Sequence, residues 1–144
     1  KGLACPVGSV ISGSEEYIAQ ARKWRKIVGG SMRQAGIIAA AGVVALDTMV
    51  DRMADDHANA RKLANGLAEI DGITIDPESL HTNLVFFEIG HPDRAAFARK
   101  LNERGVLGGG PQKRWRYVTH YGITEEDIDY TLDVFTSTFK ETVS

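Results

Sequence analysis

Lys1 opens the run Lys1-Gly2-Leu3-Ala4-Cys5-Pro6-Val7-Gly8-Ser9. Glycines, a proline and small side chains around an amine let backbone crowd close to a planar ligand. An ε-amine in such a place can form an imine with an aldehyde, which is the anchoring chemistry of pyridoxal phosphate. The reaction needs a lysine that is neutral part of the time. Burial beside other cations lowers a lysine pKa and supplies that. A solvated lysine at a chain end is the competing reading of the same residue. A second basic run, Arg25-Lys26-Ile27-Val28-Gly29-Gly30-Ser31-Met32-Arg33-Gln34, brackets a glycine pair. Other chemistries find less support. Nothing beside Cys5 would make it a thiolate nucleophile, so it reads as a small buried residue. No His, Cys or Asp cluster has metal-ligand spacing. Gly108-Gly109-Gly110 lacks the lysine and hydroxyl residue that a phosphate loop places after its glycines. His57 and His120 read as hydrogen-bonded structural residues.

The elements that must position these groups follow from periodicity. Residues 7–12 alternate and predict a short strand. Ser14 is a good N-cap, and Glu15 and Glu16 suit the first turn of a helix that Gly29-Gly30 stops. Residues 34–70 predict one long alanine-rich helical region. Its first half, residues 35–46, is apolar all round, a pattern normally buried on every side. Residues 73–75 and 83–89 read as strands. Pro92 predicts a helix start, with Phe97 and Leu101 facing inward and Gly105 closing it. Along residues 115–120, Trp115, Tyr117 and Thr119 take one face. Arg116, Val118 and His120 take the other, read here as a partly buried pocket wall. Thr124 and Asp127 predict a capping box for a last helix. The part after about Met49 therefore reads as a small α+β domain of three or four strands with helices on one face.

The chain has 144 residues, a formal net charge of -2 and 43% hydrophobic residues. That balance gives no electrostatic case for nucleic acid or an anionic membrane surface. The longest apolar run is too short to span a bilayer. A single cysteine fits a reducing, cytoplasmic setting. The chain has no initiator methionine, and a reactive residue stands first. It is therefore expected to be a piece of a longer protein.

Four segments carry a resemblance: Lys1-Gly2-Leu3 with Pro6-Val7-Gly8-Ser9; Trp24-Arg25-Lys26 with Gly29-Gly30-Ser31-Met32-Arg33-Gln34; Asp55-Asp56-His57-Ala58-Asn59-Ala60; and Arg116-Tyr117-Val118-Thr119-His120. In order and spacing the chain resembles the pyridoxal-phosphate-dependent threonine aldolases of the low-specificity kind. The resemblance implies an α/β fold of the fold-type-I, aspartate-aminotransferase-like class. Residues 1–48 would end the large cofactor-binding domain, and residues 49–144 would form a C-terminal α+β domain. It implies pyridoxal 5'-phosphate as cofactor, with Lys1 as the catalytic Schiff-base lysine. Lys26 and Arg33 match basic residues near cofactor and substrate; a helix C-terminal charge and a structural salt bridge are their competing roles. Arg116 matches the arginine that grips the substrate carboxylate, and Arg114 shows the solvent-facing alternative.

The activity implied is cleavage of threonine, allo-threonine or related β-hydroxy-α-amino acids to glycine and an aldehyde. It requires the N-terminal portion of the same protein and a homo-oligomer, dimer or tetramer. Two alternatives remain open. One is another fold-type-I lyase, β-eliminating or phenylserine-type. The other is a non-catalytic domain that oligomerises through residues 35–46.

Overall fold

The computed structural model describes residues 2–143, and it divides into two compact units, Lys1–Asp51 and Arg52–Ser144. In the first unit the expected strand over residues 7–12 does not form; that backbone is irregular. The segment is rich in glycine and serine, and it has no neighbouring strand to pair with in the described residues. An isolated extended segment has no ladder to stabilise it.

Helix α1 (Glu15–Ile27) begins as the sequence predicts, with the Ser14 side chain accepting a hydrogen bond from the Tyr17 backbone N–H. Its end is a Schellman turn. The Gly30 N–H donates to the Arg25 carbonyl at 2.7 Å, and the Gly29 N–H donates to the Lys26 carbonyl at 3.2 Å. Gly29 sits at φ +84°, where a side chain would be strained. The glycine pair therefore fixes where the chain turns away, two residues after the helix and three after Lys26.

The long helix expected over residues 34–70 is two helices, α2 (Gly36–Thr48) and α3 (Met53–Ala68). Neither glycine nor proline marks the break at residues 49–52. It coincides instead with the boundary between the units. Helix α2 is the apolar helix expected to be buried. Within this chain only Ala45 of it is buried, while Ile37 is 78% exposed and Leu46 64%.

The second unit is a three-stranded antiparallel sheet with helices on one face. Strands β1 (Ile73–Thr74), β2 (Leu84–Ile89) and β3 (Arg114–Val118) lie in the order β1-β2-β3. Helix α4 (Arg94–Glu103) starts at Asp93, whose carboxylate accepts from the Ala96 N–H at 2.9 Å, rather than at Pro92. Helix α5 (Glu125–Val143) opens with the reciprocal box: the Thr124 N–H donates to the Asp127 carboxylate and the Asp127 N–H donates to the Thr124 hydroxyl. The core joins Leu63 and Leu67 of α3, Phe97 and Leu101 of α4, and Phe135 and Phe139 of α5 to Val85, Phe87 and Trp115 of the sheet. Phe97 is fully buried, with ring centroids of Phe139 at 4.4 Å and Phe135 at 5.8 Å. Aromatic pairs at such spacings add stabilisation beyond the area they bury.

Candidate functional site

In the first unit, Lys26 lies in the last turn of α1, and Arg33 lies in the turn that leads into α2. Both side chains are exposed. Among the described residues neither makes an ion pair or a hydrogen bond. A salt bridge for Arg33 is thus not what the structure records. Gln34, next to Arg33, adopts φ +51°, and Ala4 adopts φ +52°. Left-handed backbone at residues other than glycine costs energy and occurs more often near functional sites. Cys5 is buried, as expected of a small packing residue. Lys1 lies outside the described residues.

In the second unit, period-two alternation separates β3 into two faces as the sequence predicts. Trp115 and Thr119 are buried and Tyr117 is half-buried against the helices. Arg116 and Val118 occupy the other face, which α3, α4 and α5 leave uncovered. Arg116 is exposed there rather than turned inward. Its cross-strand partner is Phe86, in a register that also pairs Leu84 with Val118 and Glu88 with Arg114. Phe86 is 43% exposed. The uncovered face is therefore apolar at Leu84, Phe86 and Val118, and cationic at Arg114 and Arg116.

Electrostatics sort the cations of β3 and its approach. Lys113 Nζ binds the Glu88 carboxylate at 2.7 Å. That hydrogen bond and charge hold the Glu88 carboxyl below its ordinary range. The Arg114 guanidinium lies over the Phe86 ring, 4.8 Å from its centroid. Arg116 has no hydrogen bond, ion pair or ring contact among the described residues. It is the uncommitted fork on this face, and a planar guanidinium is suited to two parallel bonds with a carboxylate.

The backbone that follows Arg116 is pinned. The Thr119 N–H donates to the Asn83 carbonyl at 3.2 Å, and the Asn83 side-chain amide donates to the Thr119 carbonyl at 2.6 Å. The buried Thr119 hydroxyl donates to the Asp56 carbonyl of α3 at 2.6 Å. His57 and His120, the neighbours of that last bond, are both exposed. His120 Nδ1 lies 2.8 Å from the Tyr121 carbonyl, which fits a structural role.

Beside β3, the edge strand, runs a cleft of about 620 Å³ whose walls include Arg116, Tyr117, His120, Gly108 and Tyr130. Burial pushes the Tyr117 hydroxyl pKa up, so it stays protonated at neutral pH. The glycine run has a packing role. A Cβ on Gly108 would lie 2.9 Å from the Tyr117 ring, so glycine lets that loop close over it. No group of three or more His, Cys, Asp or Glu that could hold a metal occurs among the described residues. No helix among them is long and apolar enough to cross a membrane.

Arg114 is a solvent-exposed strand arginine as the sequence suggested, but sequence reasoning missed that it lies over Phe86. The i, i+2 spacing of Arg114 and Arg116 shows that they share a face. The register that sets Phe86 opposite Arg116 is not visible in a single strand.

Comparison with known proteins identifies the relatives of this chain. The beta-eliminating lyase family matches residues 1–89. Low-specificity L-threonine aldolase 1 of Arabidopsis thaliana is 40% identical over 139 residues, covering 94% of this chain and 39% of the plant protein. The low specificity L-threonine aldolase of Escherichia coli K12 is 40% identical over 129 residues, 89% of this chain and 37% of that enzyme. The chain thus spans roughly two-fifths of the length of these curated relatives. Among solved structures, an aminotransferase, TlmJ from Streptoalloteichus hindustanus, superposes with a TM-score of 0.60 at 16% identity. The match covers 75% of this chain and 37% of that one. The fold is that of part of a fold-type-I α/β enzyme, as expected from the sequence.

Proposed function

We propose a function from one premise: the chain belongs to the beta-eliminating lyase family. The family and the aminotransferase neighbour imply pyridoxal phosphate. The whole protein is a carbon–carbon lyase that splits threonine, allo-threonine and related β-hydroxy-α-amino acids into glycine and an aldehyde. The 40% identity to low-specificity L-threonine aldolases over most of this chain supports that choice within the family.

The donor set suits the cofactor. Lys26 and Arg33 are exposed cations on either side of a glycine turn, uncommitted among the described residues, and such groups offset phosphate or carboxylate charge. Lys1 supplies the amine that anchors the aldehyde. When bound, the cofactor supplies an electron sink for the bond that breaks. The chain's own residues do the holding. Arg116 takes the substrate carboxylate through both arms of its guanidinium, and this sets which bond at Cα is aligned to break. The Asn83 and Asp56 anchors on Thr119 fix the backbone from which that fork projects.

The base for the β-hydroxyl, the partner of the pyridine nitrogen and most phosphate contacts belong to the N-terminal portion of the full-length enzyme. The apolar faces of α2 point to further packing there or in a homo-oligomer. The single observation that carries the reading is Arg116: an exposed arginine with no partner among the described residues, beside two cations that have one. Product analysis with the full-length protein and threonine tests it. Glycine and acetaldehyde in equal amounts support it. A keto acid with ammonia would establish β-elimination instead.

A further inference from the structure

Two guanidinium groups stand two residues apart on the uncovered face of β3, and only one can be the productive carboxylate site. Residues i and i+2 on a strand are about 6.6–6.8 Å apart on the same face. A substrate carboxylate held by Arg114 would therefore be displaced along the strand from where Arg116 holds it. Its Cα–Cβ bond would be out of place. Something must keep the second fork out of use.

The structure shows what occupies it. Glu88 lies directly opposite Arg114 in the register, but Lys113 takes the Glu88 carboxylate at 2.7 Å. Arg114 acts on that carboxylate through its charge, without a hydrogen bond, and its guanidinium lies over Phe86 at 4.8 Å; Phe86 is the residue opposite Arg116. We propose that Phe86 is a positioning residue that parks Arg114 on its ring and thereby leaves Arg116 as the one fork available to the substrate carboxylate. The inference rests on the carboxylate role of Arg116. Phe86 acts on the substrate through Arg114, without bonding to it.

The kinetic consequence is specific. Releasing Arg114 creates a competing, nonproductive mode for the same substrate. Such a mode lowers kcat and KM by the same factor and leaves kcat/KM unchanged, because free enzyme still reaches the transition state by the same route. The experiment compares Phe86→Ala, Arg114→Leu and the double variant in full-length holoenzyme with threonine. Phe86 is partly exposed, and circular dichroism checks that each variant folds. For Phe86→Ala, kcat and KM should fall together by at least about twofold, the scale of an exposed cation–π contact.

Arg114→Leu alone should leave both constants within experimental error. The double variant should recover both, since no competitor remains. Phe86→Tyr, which keeps the ring, should behave as wild type. A fall in kcat/KM that Arg114→Leu does not reverse would assign Phe86 a packing role and overturn the proposal. Arg116→Lys is measured alongside. An unchanged KM there would remove the carboxylate reading on its own, whatever Phe86→Ala shows.

Discussion

Arg116→Lys is the substitution whose size can be worked from the structure. Arg116 is exposed on the uncovered sheet face and makes no bond to another described residue. Replacing it removes no interaction that this chain uses to fold, so thermal stability should not change. Lysine keeps the charge but offers a point donor in place of the fork. One of two charge-assisted hydrogen bonds to the carboxylate is lost, worth about 1.5–3 kcal/mol. At about 1.4 kcal/mol per tenfold, KM for threonine should rise by roughly 10- to 140-fold. The assay is steady-state acetaldehyde release by the full-length enzyme, with melting temperature as the folding control. A KM within twofold of wild type, at unchanged melting temperature, would refute the assignment. A rise in KM together with a fall in melting temperature would show that the arginine supports the fold.

Two further outcomes test the fold and its electrostatics. Phe97→Ala removes a fully buried ring packed on Phe135, Phe139 and Trp115, so it should cost about 3–5 kcal/mol; a melting temperature within a degree of wild type would contradict the packing described. The Glu88 carboxyl is held below its ordinary value first by its hydrogen bond to Lys113. Whatever that pair contributes is present above the ordinary carboxylate pKa and lost as pH falls through the lowered one. In Lys113→Gln the Glu88 titration followed by carbon-13 NMR should move up toward the ordinary range; an unmoved midpoint would show that the pair does not form in solution.

Local signals made much of this readable beforehand. Ser14 and the Gly29-Gly30 pair fix both ends of α1 through bonds within a few residues. The Thr124–Asp127 box and the inward Phe97 and Leu101 are equally local. The alternation over residues 115–120 separated two faces correctly. It carried no information on which face the helices cover, because that is decided by α3, α4 and α5 from elsewhere in the chain. Residues 7–12 alternate without forming a strand, since a ladder needs a partner that periodicity does not supply. The break at residues 49–52 lacks a helix-breaking residue. It reflects the boundary between two units, a property of packing rather than propensity. Phe86 carried no chemical signal of its own. Its place beside Arg116 comes from register, which is set jointly by two strands.

The account turns on the amine of Lys1. Borohydride reduction of the full-length protein loaded with pyridoxal phosphate, followed by peptide mass mapping, tests it directly. The reduced cofactor should be found on Lys1, with loss of the visible absorbance of the bound imine. A label on a different lysine, or a protein that stays colourless and unlabelled, would contradict the account.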